Sequence, residues 1–481
     1  MVSIWEQTAP LPPFPALAGD RKVQAAVIGG GMAGILTAWF LQQAGTEVLI
    51  LEADRVGRGQ TAGTTAKLTA QHGLIYHRLL EQFGAEQAGQ YARANLRAVE
   101  DYRRLIRERR IDCALEDCTA YLYTTGDAAA LVREYESARQ LGIDAFLTED
   151  TELPFPAAAL GFRHQARFHP LRFLGALAGE LDICEHTRVL TVEGQEVRTD
   201  RGTVTAEAVI FACHYPFLNA PGYFFARQHQ ERSYVLALEG PKYLRDVYLG
   251  VDGDGLSLRS WDRYLLLGGG THRTGENRQG GQYASLRAAA RRYWPGCTEA
   301  AFWSAQDCMP VDGVPYIGPV SPSRPRWLAA TGFQKWGMTS SMAAARILTD
   351  LALGKNPADA QVFSPLRFKA AASARQLAGE MGHAVRGLGR RLLEPGRIPA
   401  AELPAGHGGV VELDGEKLGV YRDEKGRLWA VEVRCPHLGC QLEWNPEERS
   451  WDCPCHGSRF DHRGRLMDGP AQTHLAAEEV R

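Results

Sequence analysis

Apolar positions along the chain change their period several times, and each change marks an element. The mixed stretch Arg21 to Gln24 leads into an unbroken apolar run, Ala25 to Ile28, which stops at a glycine-rich turn and continues with helical spacing through Ile35 to Leu41. A short continuous run bounded by glycines reads as a buried strand, and the longer one as a helix packed on it. Gly45 ends that helix, and Glu47 to Leu51 predicts the next strand. Helical patterns fill 80–110 and 128–141. Ser233 to Leu238, Gly255 to Ser260 and Tyr264 to Leu267 alternate or run apolar as sheet strands do. Glu185 to Val192, Ala208 to Ala212 and Trp327 to Thr331 fit further strands of the first unit. From Lys369 to Leu393 the pattern turns helical and basic, which predicts a connector helix over 366–395. Beyond it Gly408 to Leu413, Lys417 to Tyr421 and Leu428 to Val433 predict a small all-β domain over 396–481. No run of eighteen apolar residues occurs, so no spanning helix is expected.

The glycine turn carries chemistry. Gly29, Gly31 and Gly34 have GxGxxG spacing between strand and helix, and Glu52 closes the following strand about twenty residues further on. Glycines at these positions let the backbone approach a pyrophosphate at a helix N-terminus, and the acid accepts a ribose hydroxyl. Gly268 to Gly270 also follows a strand, but Thr271-His272-Arg273 replaces the last glycine and the helix. One dinucleotide is therefore expected.

Two later segments narrow the cofactor. Arg55-Val-Gly57-Arg-Gly59-Gln-Thr61-Ala-Gly63-Thr-Thr resembles the glycine- and hydroxy-rich segment by which FAD-dependent amine and amino-acid oxidases wrap the flavin. Asp312 to Gly318 with Trp327 to Thr339 resembles that family's second FAD segment. Residues 1–365 thus resemble the DAO-like superfamily of glycine, sarcosine and amino-acid oxidases. The resemblance implies an α/β FAD-binding Rossmann-type domain with an interleaved α+β substrate domain. It also implies cofactor contacts at Gly29, Gly31, Gly34, Glu52, Arg55, Gly59, Thr61, Val189, Gly332, Gly337, Met338 and Thr339.

The C-terminal unit holds the most specific spacing: Cys435-Pro-His437-Leu-Gly-Cys440, then Cys453-Pro-Cys455-His456-Gly-Ser458. Two Cys-plus-His pairs suit a [2Fe–2S] cluster with thiolates on one iron and imidazoles on the other. A Cys₂His₂ zinc knuckle uses the same atoms, but it gives no reason for two extra cysteines or for the later Gly469-Pro470-Ala471. The residues resemble the Rieske family. That resemblance implies Cys435, His437, Cys453 and His456 as ligands and, as in the respiratory-complex branch, a Cys440–Cys455 disulfide. In the high-potential branch a serine and a tyrosine after the last ligand donate to the cluster. Ser458 keeps the first and Phe460 replaces the second, which implies an intermediate potential.

Composition trims the alternatives. The 481 residues, 45% hydrophobic and 23% charged, suffice for two or three cores, and a net charge of −2 gives no sign of nucleic-acid binding. The segment through Pro15 lacks the basic and apolar regions of an export signal, so a cytoplasmic location is expected, with peripheral membrane contact left open. Cys113, Cys118, Cys184, Cys213, Cys297 and Cys308 lack ligand spacing and read as buried or free thiols.

Flavin takes two electrons and a [2Fe–2S] cluster carries one. Their fusion implies a small-molecule donor of the amine or imino-acid type, oxidised at FAD, and an external one-electron acceptor or donor reached through the cluster. Two other readings stand beside it: a redox sensor without a dedicated substrate, and a flavin reductase or monooxygenase fed through the cluster. Relatives often hold the substrate carboxylate with an arginine, and the corresponding residue here is Asp307, an acid that would repel one. The remaining candidates for catalysis are His72, His272 and Arg273, with Lys67, each of which also has an ordinary reading as a packing or solvated side chain. Cys308 is a candidate for a covalent flavin tether.

Overall fold

The computed structural model describes residues 2–367, 403–413 and 416–480. The expected connector helix over 366–395 lies almost wholly outside the described residues.

The first sheet is the predicted one. Its order is Tyr316–Pro319, Trp327–Thr331, Thr203–Phe211, Arg21–Ile28, Val48–Leu51 and Asp182–Cys184, with all neighbours parallel except the first pair. The run Ala25 to Ile28 is buried throughout because strands flank it and helices cover it. Helix Met32–Gln43 packs against helix Gly337–Ala352, which explains why its apolar residues are not confined to one stripe. The strand expected over 185–192 divides. The parallel edge strand is Asp182–Cys184, and Val189–Glu193 forms a hairpin with Glu196–Thr199 against Thr203–Phe211. The reversal between them passes through His186 at φ 49°, which no straight strand can hold.

The second, nine-stranded sheet runs Thr298–Pro310, Gln228–Glu239, Tyr264–Arg273, Ser257–Trp261, Val247–Gly250, Glu116–Thr124, Ala158–Arg167 and Lys67–Leu68, with Ala145–Thr148 beside Ala158–Arg167. Helix Tyr76–Arg109, broken at Gly84, and helix Ala129–Gln140 match the two predicted helices. The strand that reads Ser233 to Leu238 by its apolar pattern begins five residues earlier, at Gln228. Its polar start alternates, with Gln228, Gln230 and Arg232 buried and His229 and Glu231 less so. Such a face needs a cover, and the C-terminal domain supplies it.

That domain is built from two antiparallel four-stranded sheets. One is Gly408–Leu413, Glu416–Arg422, Leu428–Glu432 and Ala477–Val480; the other is Glu443–Asn445, Ser450–Asp452, Arg459–Asp461 and Leu466–Asp468. Trp451 and Phe460 fill a core that also includes all four cysteines of the two loops. Among the described residues, no helix is long and apolar enough to cross a membrane.

Candidate active site and metal centre

The parallel strands end at one large cleft of about 640 Å³. Gly29, Gly31, Glu52, Arg55, Gly59, Thr61, Val189, Gly337 and Met338 line it, as the sequence motifs imply. Gly29 stands at φ 110°, and a Cβ there would lie 2.6 Å from the carbonyl oxygen of Ala212, so the turn admits only glycine. At the N-terminus of helix Met32–Gln43 the cap residue Gly31 has no side chain and Thr61 Oγ1 accepts from the Met32 N–H at 3.0 Å, which leaves the following N–H groups and the positive dipole end for an anion. Glu52 accepts from the N–H groups of Gly30 (2.7 Å) and Asp54 (2.8 Å), and burial pushes its carboxyl pKa up. Arg55 pairs with buried Glu185 at 3.0 Å.

Three motif residues act from behind the wall. Gly34 lets helix and strand close up, since a Cβ there would lie 1.9 Å from the carbonyl oxygen of Gly29. Gly332 turns under Pro310 at φ 74°, and the Thr339 hydroxyl accepts from the N–H of Thr69 at 3.0 Å.

The catalytic candidates are redistributed. His72 does not line the cleft: its ring is buried between Tyr91 Oη (2.6 Å) and the Thr69 carbonyl (2.7 Å) and stacks on Trp336. Burial lowers its pKa to about 3, so it is a neutral packing group. His272 and Arg273 are also absent from the lining. The Arg273 guanidinium donates to the carbonyl oxygens of Pro454 (3.0 Å) and Cys455 (3.1 Å) in the C-terminal domain. Cys308 likewise lies behind the wall, with Sγ 3.3 Å from His214 Nε2, and burial drives its thiol pKa well up. Lys67 and Asp307 do line the cleft. Asp307 faces Lys335 Nζ at 3.1 Å, so this acid is not a bare negative charge.

The two cysteine-containing loops form a second site. Cys440 and Cys455 are joined by a disulfide. Their sulfurs lie near that of Cys453, but bonded to each other they are not available to a metal. Cys435 and Cys453 remain, both about 1% exposed, with the His437 and His456 rings 4.8 Å apart. His437 Nε2 donates to Asn219 Oδ1 at 2.9 Å, which places the ring proton there and leaves the buried Nδ1 with a lone pair and no hydrogen-bond partner among the described residues. Two thiols and a histidine with an unused ring nitrogen, closed by a disulfide, fit a cluster better than an unliganded core. Ser458 Oγ accepts from the N–H of Ala471 at 3.0 Å and also touches Cys435.

The two sites share a wall. Met467 to Gln472 of the C-terminal domain line the same cleft as Gly29 and Gly31. Gln230 Nε2 donates to the carbonyl oxygens of His456 (2.7 Å) and Gly469 (3.0 Å). Its Oε1 accepts from Gln306 Nε2 (2.7 Å) and from His214 Nε2 (3.1 Å), and His214 lines the cleft. Gln306 Nε2 reaches the Gly457 carbonyl at 2.8 Å. Gly457 must be glycine, because a Cβ would lie 2.6 Å from that of Gln230. Nearby, Glu448 is buried between Arg232 and Arg459, one from each domain.

A model of the FAD dependent oxidoreductase family matches residues 24–351. The chain belongs to that family. A model of the Rieske [2Fe-2S] domain matches residues 397–478, so this FAD-dependent oxidoreductase also carries an iron–sulfur cluster domain. The chain is 36% identical over 486 residues, covering 97% of itself and 95% of the relative, to YhfW of Bacillus subtilis (strain 168), which is named as a Rieske 2Fe-2S iron-sulfur protein. The Rieske part alone is 37% identical over 89 residues to cytochrome b6-f complex iron-sulfur subunit 2 of Nostoc sp., covering 17% of this chain and 50% of that one. Glycine oxidase from Geobacillus kaustophilus superposes with a TM-score of 0.62 at 21% identity, over 72% of this chain and 99% of that chain, a likeness of fold.

His214, Gln230, Gln306 and Lys335 escape the sequence reading. His214 follows a strand of the parallel sheet at its C-terminal end, where ligands of such sheets gather, and that was a usable signal. Gln230 and Gln306 had none, because their roles exist only once two distant domains dock.

Proposed function

We propose that this oxidoreductase takes a hydride equivalent from a small amine or imino-acid-type donor at FAD and passes the electrons singly through the Rieske cluster to an external acceptor. The observation that carries this reading is the shared wall: the Gly469 to Gln472 loop of the Rieske domain lines the flavin cleft, and Gln230 ties that loop to the His456 loop. Bound FAD supplies two-electron chemistry at the cleft, and the cluster supplies one-electron chemistry. The donor gives up a hydride, two electrons and one proton, and leaves as the iminium; two equivalents of a one-electron acceptor take the electrons, and the hydride's proton is released to water. Cys435, His437, Cys453 and His456 would hold the cluster, while the open N-terminus of helix Met32–Gln43 would hold the FAD pyrophosphate. His214 and Gln230 would then lie on one hydrogen-bonded route from cleft to cluster loop.

The test is an anaerobic screen of amines, N-methyl amino acids and imino acids against the holoprotein, with flavin absorbance and cluster electron paramagnetic resonance read together. Flavin bleaching followed by the reduced-cluster signal is expected for an accepted donor. Bleaching that never reaches the cluster would argue for a simple oxidase, and reduction by NADH or NADPH alone would argue for the reductase reading.

A further inference from the structure

The substrate-side wall of the cleft holds a cation that nothing above employs. Lys67 lies on the short strand Lys67–Leu68, paired with Arg167 and Ala166 at the edge of the nine-stranded sheet, and it lines the cleft. Its Nζ donates to Ser257 Oγ at 2.6 Å and to the Tyr248 carbonyl at 3.2 Å. Both partners are neutral, and no carboxylate pairs with it among the described residues. An ammonium has three N–H donors, so one is left over.

The surroundings make the charge conspicuous. Arg259 is 1% exposed, and its guanidinium donates only to carbonyl oxygens: Thr65 (2.7 Å), Phe168 (3.2 Å), Ala66 and Ser260. Glu116, an acid whose charge acts on Arg259, is taken by Arg167 at 2.8 Å and by Tyr243 Oη at 2.6 Å. Lys67 at this wall and Arg259 behind it therefore carry positive charge that no carboxylate pairs with among the described residues. A buried charge lacking a partner is costly to keep, and burial with the Arg259 charge lowers the Lys67 pKa to about 7. The opposite arrangement holds at the Asp307 wall, where Lys335 sits between Asp307 (3.1 Å) and Glu231 (3.6 Å), two acids to one base.

We propose that Lys67 anchors an anionic group, a carboxylate, of the molecule oxidised in this cleft, from the edge strand at the other end of the sheet order from the acid that stands where relatives keep an arginine. The inference rests on the reading that a donor is oxidised here, and it adds which end of the cleft takes the negative charge. Lys67 supplies the unused donor and Ser257 holds the ammonium in place.

Carboxylate binding to the full-length holoprotein tests it, using acetate, propionate and benzoate against acetamide, propionamide and benzamide, each followed by the flavin difference spectrum. Saturable perturbation by the carboxylates is expected. Lys67→Met should weaken carboxylates about tenfold or more, as expected for losing a charge-assisted hydrogen bond, with the amides unchanged. Lys67→Arg, which keeps the charge if the methionine variant folds poorly, should retain most of the affinity. The resting flavin spectrum and midpoint potential should not move in Lys67→Met. Equal carboxylate binding by Lys67→Met and the wild type would overturn the proposal, as would no carboxylate binding by the wild type. A flavin potential displaced without any ligand would make Lys67 a cofactor contact and overturn it too. If donors reduce the flavin but Lys67→Met is unaffected, only this inference fails; if carboxylates need Lys67 but no donor reduces the flavin, only the donor reading fails.

Discussion

Gln230 Nε2 donates to the backbone carbonyl of His456 at 2.7 Å, so a buried side chain of the flavoprotein sheet grips the loop that carries a proposed cluster ligand. The same amide reaches Gly469 on the proline loop at 3.0 Å, and its oxygen accepts a hydrogen bond from His214 Nε2 on the cleft wall. One residue thus touches the His456 loop, the proline loop and a residue of the flavin cleft.

Gln230→Leu should separate coupling from cofactor loading. It strands two buried carbonyl acceptors, at about 1–3 kcal/mol each, and deletes the His214 contact. Iron and FAD contents should stay at wild-type levels while the flavin-to-cluster rate, read by stopped-flow, falls. An unchanged rate would mean that electrons take another route.

Gly31→Asp should give protein that keeps iron and lacks flavin. A Cβ at Gly31 meets only Thr61 Oγ1, at 3.3 Å, so the chain can fold around it. The added carboxylate would stand at the helix N-terminus that is to receive the pyrophosphate. Absorbance at the flavin bands against iron analysis reads the outcome, and a flavin-replete variant would remove this site from the account.

Acid should undock the domains. Glu448, buried between Arg232 and Arg459, has its carboxyl held down to about 2, because the two guanidinium charges outweigh the burial that opposes them. Its pKa is lower docked than free, so its contribution is full above the ordinary carboxyl value near 4.5 and fades as pH falls toward 2. The full shift corresponds to on the order of 3 kcal/mol, and the docking share is the part owed to Arg232, since Arg459 lies in the same domain and keeps its pair. Limited proteolysis from pH 6 to pH 3 should show the domains separating in this window, and Glu448→Ala should show separation already at pH 6.

Much of this was legible in the chain. Gly29, Gly31 and Glu52 announce a dinucleotide site because a pyrophosphate needs bare backbone at fixed spacing, and Cys435 to Ser458 announce a cluster because metal ligands tolerate little variation in offset. Both are local demands. The domain interface was not legible, since the polar run Gln228 to Arg232 carries no apolar pattern and only the docked Rieske domain buries its alternate residues. The candidates His72, His272 and Arg273 do not line the cleft, and this too was not legible: sequence shows the residue type and not the wall it faces, and Arg273 faces Pro454 and Cys455.

Ser458→Ala should lower the cluster potential. The hydroxyl touches Cys435, and added electron density on sulfur is better met by a donor. One hydrogen bond worth about 1 kcal/mol corresponds to about 40 mV for a one-electron couple. Phe460, fully buried beside the cluster loops, lacks the second hydroxyl, and Phe460→Tyr should shift the potential upward. Protein-film voltammetry reads both shifts.

The central claim is that flavin and cluster exchange electrons within one chain. Anaerobic photoreduction of the flavin in the full-length protein, with the reduced cluster followed by electron paramagnetic resonance on freeze-quenched samples, measures this without any donor. The cluster signal should grow as the flavin is reoxidised, at a rate independent of protein concentration. A rate that scales with protein concentration, or a cluster that stays oxidised beside reduced flavin, would contradict it.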